Sequence, residues 1–259
     1  METTNSYEKV KLARSKDRPG IDFYIRALFD NFVELHGDRL FKDDPSLVGG
    51  IALFHDVPVT VIGHRKGKTT EEQIACNFGM TSPEGYRKAR RLMEQAEKFH
   101  RPVITFIDTP GAYPGMEAES NGQSNAIAES LAFMSAMQTP SIAIITGEGS
   151  SGGALALAVA DKVYMLENAV YSILSPEGFA SILYKDASKA ALASDAMKLT
   201  AQDLKQFGLI DGILPEGKRL LPAIDRMLTR ELERLMKMNP SSLVEARYQK
   251  FREIDDMND

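Results

Sequence analysis

The sequence predicts an α/β fold, on three observations. Short apolar runs of strand length alternate with segments whose apolar residues recur every three or four positions. The apolar run at 141–146 passes through a glycine-rich turn into an Ala- and Leu-rich segment, the strand–loop–helix order of right-handed α/β units. No linker or short-period repeat divides the chain, so residues 21–259 read as one domain with helices at its C-terminal end.

Each element has its own signal. Residues 1–20 are polar and charged and read as a mobile N-terminal arm. The stretch 21–35 places Ile21, Tyr24, Ile25, Leu28, Phe32 and Leu35 on one helical face, and Gly37 ends it. The runs 47–54 and 57–63, separated by His55 and Asp56, predict a β-hairpin. Thr81, Ser82, Pro83 and Glu84 form a helix start of the capping-box kind. The helix beyond them carries Tyr86, Ala89, Leu92, Met93, Ala96 and Phe99 on one side and stops before Pro102. A buried strand follows at 103–108, then a turn-rich stretch at 109–115, a helix at 124–138 and a second buried strand at 141–146. Short strands at 162–166 and 170–174 precede helical segments over 176–207, a last strand at 209–214 and two charged amphipathic helices.

Composition narrows the function classes. A chain that is 43% hydrophobic and 26% charged is an ordinary globular protein. It has no apolar run of the roughly 18 residues that would span a bilayer, and no secretory signal core at its start. A cytoplasmic protein without a membrane association is the expectation. The single Cys76 excludes an internal disulfide framework and any multi-cysteine zinc site, and four scattered histidines offer no ligand pair. A net charge of −5 argues against nucleic acid as a partner.

The informative stretch is 141–156, SIAIITGEGSSGGALA. Backbone amides at its helix start would point at an anion, or at an oxygen that gains negative charge during reaction. The same letters fit a dinucleotide fingerprint with Glu167 twenty residues past the first glycine, and a GxSxG nucleophile elbow centred on Ser151. They also fit a tight turn that only packs closely. No histidine occurs beyond His100, which removes the serine-hydrolase order and a ClpP-like protease order. A Rossmann unit normally opens its domain, whereas this loop lies past the middle of the chain, so a nicotinamide site is the weaker alternative. A main-chain oxyanion hole remains, as enolate-forming acyl-CoA chemistry requires.

Two lysines resemble motifs they do not complete. Gly67, Lys68 and Thr69 look like the end of a phosphate-binding loop, but Ile62 stands where that motif needs glycine. The segment 196–199, AMKL, looks like a biotinylation site, yet Lys198 ends an Ala-rich helical run rather than sitting on a small β-domain.

From residue 21 to 214 the chain resembles the carboxyltransferase alpha subunits of bacterial multi-subunit acetyl-CoA carboxylases. The resemblance rests on Asp38 and Arg39, on 48–52 (VGGIA), 62–64 (IGH), 77–80 (NFGM) and 83–89 (PEGYRKA). It continues through 104–115 (ITFIDTPGAYPG), Gly147 to Gly149 with 151–156 (SGGALA), 173–178 (ILSPEG) and 180–183 (ASIL).

That resemblance implies a crotonase-like (ClpP/crotonase) spiral of ββα units with flanking helices. It implies carboxyl transfer from carboxybiotin, borne on a separate carrier protein, to acetyl-CoA, giving malonyl-CoA in the first committed step of fatty-acid synthesis. The implied partners are a zinc-ribbon beta subunit in an alpha2beta2 assembly, the biotin carboxyl carrier protein and biotin carboxylase; no metal is implied on this chain. The amides of Gly152 and Gly153 become the oxyanion pair for the biotin ureido oxygen. Gly111, Ala112, Tyr113, Gly115, Gly149 and Ser151 would shape the same pocket, with Phe78 and Gly79 as a further wall. Arg65, Lys66 and Lys68 are candidates for CoA phosphates or for a solvated face. Glu148 and Glu177 are explained by a loop and a helix start rather than by acid–base chemistry. Where the family usually has glycine the chain has Ser150, which costs about 1 kcal/mol or more if that position needs positive φ. The alternative is a subunit of a related biotin-dependent acyl-CoA carboxylase or decarboxylase, with an assembly scaffold of the same fold more distant.

Overall fold

The structure, a computed structural model, describes residues 5–256. Its frame is one eight-stranded sheet. The strands are β1 (Asp30–Glu34), β2 (Leu47–Phe54), β3 (Val57–His64), β4 (Val103–Thr109), β5 (Ser141–Ser150), β6 (Lys162–Leu166), β7 (Val170–Ser172) and β8 (Gly212–Leu214). The order is β1-β2-β3-β4-β5-β6-β8, with β7 paired to the far end of β5. β1, β2 and β3 are antiparallel; from β3 onward every pairing is parallel.

The hairpin forms as the sequence predicts, in uninterrupted register from Leu47 opposite His64 to Phe54 opposite Val57. Its two faces bury against different helices. A Cβ on Gly63 would strike Ile21 of the helix Ile21–Leu28, whereas one on Gly49 would strike Leu92 of the helix Pro83–Lys98. Gly63 pairs with Val48, the neighbour of Gly49, and adjacent strand residues point to opposite faces. The two helices therefore cover opposite faces of the sheet. β4 and β5 lie between such layers, and β5 is buried along its whole length.

Three expectations change. The helix at 21–35 stops at Leu28, and Asp30–Glu34 becomes an edge strand on β2. Period-3.6 and period-2 patterns overlap over so short a run, and tertiary pairing decides between them. The capping box at Thr81 to Glu84 does not form: Ser82 is the N-cap, but no side-chain oxygen caps the helix. Instead the Ser82 amide donates to Asp44 Oδ2 at 2.7 Å, and Glu84 bonds Arg87 and Asn121. Finally, the expected mobile arm is docked over its described part. Residues Ser6–Ala13 form a helix whose Val10 and Ala13 are buried against Val170 and Leu199.

Candidate active site

Parallel strands that start together also end together, and loops beyond their carboxyl ends share one side of the sheet. His64 closes β3, Thr109 closes β4 and Ser150 closes β5, so 65–82, 110–115 and 151–155 meet there. β5 is the longest strand because it runs on past Thr146, pairing Gly149 with both Thr109 and Tyr171. What reads as a glycine loop is thus mostly strand. The turn is compressed into one residue.

That residue is Ser151, with φ 56°, which opens the short helix Ser151–Leu155. Left-handed backbone costs a non-glycine residue about 1–2 kcal/mol, and such strain persists only where surroundings hold it. Ser150 is extended at φ −123° and paired with Ser172, so the serine that replaces the family's glycine carries no such strain. The exposed Ser151 makes no side-chain hydrogen bond among the described residues, which leaves it without a base. The elbow is a strand-to-helix turn whose serine has no base beside it among the described residues.

The amides of Gly152 and Gly153 lie in the first turn, where no carbonyl four residues back can accept them. A Cβ on Gly153 would come within 2.8 Å of the Gly111 carbonyl carbon, the Ala112 amide and the Tyr86 hydroxyl. The turn after β4 therefore presses on the elbow through Gly111 and Ala112. A Cβ on Gly152 would meet only Ile127, at 3.3 Å, so its outer side is open. Gly149 packs on the Tyr171 ring beneath the elbow.

The remaining residues are brought near in different degrees. Ala112 bridges to Thr81, and the Tyr113 amide donates to the Thr81 carbonyl at 3.0 Å, fixing the turn to the start of the helix Pro83–Lys98. Gly115 lies under the Tyr113 ring. Phe78 is left-handed at φ 55° and half exposed, and Gly79 backs onto Lys66 and the Asp108 carbonyl at the end of β4. Both belong to the rim rather than to the elbow itself.

Sequence reasoning missed a charged network under the elbow. Asp108 Oδ1 accepts from Lys66 Nζ at 2.5 Å and from the Glu148 amide at 3.0 Å. Glu148 meets Arg14 at 2.7 Å, and Arg14 also reaches Glu177 at 2.8 Å. Burial works against the Arg14 cation, but Glu177 and Glu148 outweigh it and raise its pKa. Glu177 is lowered: burial opposes its charge, and Arg14 with local amides overcomes that. The one available signal was a carboxylate, Asp108, at the carboxyl end of an otherwise apolar strand.

Beside this network a cavity of about 600 Å³ opens between the N-terminal segment and the loop after β3, lined by Arg14, Arg18, His64, Lys66, Lys68 and Asp108 among others. Gly152 and Gly153 do not line it. His64 is 2% exposed and neither ring nitrogen has a partner at hydrogen-bonding geometry. Burial first, then the Lys66 charge, push its pKa down to about 3 against a weaker opposing pull from the Phe106 backbone. Of the basic trio, Arg65 is committed to Asp22 and Glu34 and Lys66 to Asp108, while Lys68 makes no ion pair among the described residues. Burial raises the Cys76 thiol. No group of three or more metal-ligating side chains forms among the described residues, and no described helix is long and apolar enough to cross a membrane.

The fold is crotonase-like, the fold of known acyl-CoA carboxylases. Among solved structures, transcarboxylase 12S with methylmalonyl-coenzyme A bound superposes with a TM-score of 0.72 at 18% identity, over 85% of this chain and 42% of that one. Residues 1–255 match the family described as acetyl co-enzyme A carboxylase carboxyltransferase-like. The carboxyl transferase alpha subunit of Listeria monocytogenes serotype 4b is 54% identical over 257 residues, 96% of this chain and 81% of its own length. A fused beta/alpha protein of Natranaerobius thermophilus is 55% identical over 96% of this chain and 42% of its own length. The chain belongs to the acetyl-CoA carboxylase carboxyltransferase alpha-subunit family.

Proposed function

We propose that this chain supplies the biotin-side half of a carboxyltransferase site, moving a carboxyl group from carrier-borne carboxybiotin to acetyl-CoA to give malonyl-CoA. The observation that carries the reading is the elbow: two first-turn amides, at Gly152 and Gly153, stand just beyond the end of β5 without an acceptor four residues back. Bound there, carboxybiotin would supply the carboxyl group and, once it has left, a nitrogen able to take a proton. The Gly152 and Gly153 amides would donate to the oxygen on which negative charge collects, and one such donor is worth about 100-fold or more in rate. Gly111 and Ala112 hold the Gly153 side of the hole from behind. No nucleophile–base pair is needed, which suits an unpaired Ser151, a buried His64 and a thiol raised by burial.

The thioester would be held by a beta-type partner, a reading supported by relatives named as alpha subunits and by the fused beta/alpha chain. A biotin carboxyl carrier protein, biotin carboxylase and an alpha2beta2 assembly complete the proposed complex. The test is malonyl-CoA-dependent carboxylation of free biotin, the reverse reaction, with this chain alone and mixed with a beta subunit. Activity only in the mixture is expected. Activity from this chain alone would place the thioester site here too, and none in either case would overturn the reading.

A further inference from the structure

Arg14 belongs to a segment outside the sheet, yet it joins Glu148, in the strand that ends at the elbow, to Glu177, in the helix that follows β7. We propose that Arg14 is a positioning residue for carboxyl transfer, clasping β5 to the helix Pro176–Tyr184 so that Ser151 stays left-handed and the Gly152 and Gly153 amides stay aimed. The inference rests on the reading of those amides as the oxyanion pair.

The geometry is that of a two-armed clamp. Arg14 is the residue that ends the helix Ser6–Ala13, and the burial of Val10 and Ala13 against Val170 and Leu199 fixes where it is delivered. Its Nε donates to Glu148 Oε1 at 2.7 Å; Nη1 and Nη2 donate to the two oxygens of Glu177 at 2.8 and 3.3 Å. Glu148 lies in β5, three residues before Ser151, and its amide is anchored on Asp108. Glu177 sits in the first turn of the helix that follows β7, and β7 pairs with residues 148–150 of β5. One guanidinium thus ties the strand that ends in the elbow to the start of the helix that follows β7. A lysine could not, because a single ammonium lacks the planar fork.

Removal of Arg14 leaves the Glu148 carboxylate, 11% exposed, with Lys66 at 3.9 Å as its remaining cation among the described residues. A buried carboxylate so weakly paired draws in water or turns outward, and either motion pulls on the backbone that holds Ser151 in a costly conformation. Misplacing reacting groups by about 1 Å can cost on the order of 100-fold in rate. The loss falls on turnover, because the amides act on charge that develops only during reaction.

The experiment uses the reconstituted alpha–beta complex, with free biotin and malonyl-CoA. Arg14→Ala is expected to lower kcat about 10- to 100-fold. Its KM for biotin stays within about threefold, and assembly is unchanged. Arg14 is about one-third exposed, so added guanidinium should restore part of kcat in this variant and leave the wild type unaltered. Lys11→Ala, on the exposed face of the same helix, where Lys11 pairs with Glu8 and lies over the Tyr7 ring without touching Arg14's carboxylates, serves as the unaffected control. Unchanged kcat in assembled Arg14→Ala overturns the clasp. A loss that merely tracks the folded fraction, without guanidinium rescue, overturns it equally. Should Arg14→Ala fail to assemble, Arg14→Lys and Glu177→Gln carry the test, each with a severalfold lower kcat expected; wild-type kcat in both overturns the proposal. An inactive wild-type complex overturns the function and the clasp together, whereas active wild type with unaffected variants overturns the clasp alone.

Discussion

At its first residue β5 is held by Asp161, whose Oδ2 accepts from both the amide and the hydroxyl of Ser141 while its Oδ1 meets Arg247 of the C-terminal helix Pro240–Asp256. At its other end the strand is held by the N-terminal segment: Arg14 meets Glu148, and Arg18 donates to the Thr146 carbonyl. Both ends use arginine from a terminal helix or just beyond one, but their surroundings differ. Arg247 is 1% exposed, and its Nη1 donates to the carbonyls of Met134 and Met137 at the end of the helix Gln123–Ala136. Burial even raises the Asp161 pKa although Arg247 and Ser141 pull it down. At the Glu148 end Arg14 and Glu177 are partly open to water, the charges form a chain rather than a closed pair, and the backbone leaves the strand through a strained residue. One end is built for stability. The other leaves the strand through a strained residue into a first turn whose amides have no acceptor four residues back.

The largest effect should come from filling the elbow. Gly152→Val and Gly153→Val are each expected to lose about 100-fold or more in transfer rate in the alpha–beta complex. Only Gly153→Val should also lower the thermal midpoint, since its Cβ strikes the turn after β4 while that at Gly152 faces open space and Ile127. Equal thermal midpoints in the two variants would break the assignment of Gly153 as the packed side.

Next comes the opposite end of the strand. Arg247→Met strands a buried Asp161 and should cost about 3–5 kcal/mol in urea unfolding. The folded fraction should retain its kcat. A lowered kcat in fully folded Arg247→Met would mean that the two ends are coupled along β5, and the contrast between them would fall.

A smaller effect is set by pH. Unfolded His64 takes up a proton near 6.5, while in the fold it stays neutral to about 3. Between those values the unfolded chain binds the extra proton, so this residue's contribution makes stability fall as pH falls. Replacing it with the near-isosteric leucine removes the titrating group. The urea midpoint of His64→Leu should therefore change less steeply with pH across that window than that of the wild type. Parallel slopes would show that His64 is protonated in the fold.

Much of this was legible in the chain. The hairpin at 47–63, the strands at 103 and 141, and the elbow glycines follow from local signals: alternation, continuous apolar runs and glycine spacing. Gly111 and Ala112 were legible only as a turn, because their contact with Gly153 spans some forty residues and depends on β4 and β5 pairing in parallel. Ser151 as the strained residue was not legible. Which serine of 150 and 151 ends the strand depends on β7 pairing with Ser150 from twenty-two residues downstream. Arg14 was read as part of a mobile arm, since a short polar helix has too little intrinsic stability to announce itself.

By itself, then, the sequence determined the α/β pattern, the family and the position of the elbow glycines, because these depend on residues close together in the chain and on apolar periodicity. The tertiary structure decided which backbone position bears the strain and which charges hold it, since Lys66, Asp108, Glu148, Glu177 and Arg14 meet only after five separate segments have packed. The physical reason is range: periodicity is a local property of the chain, whereas an ion network under a strand end exists only once burial has brought distant carboxylates and cations within a few ångströms of one another.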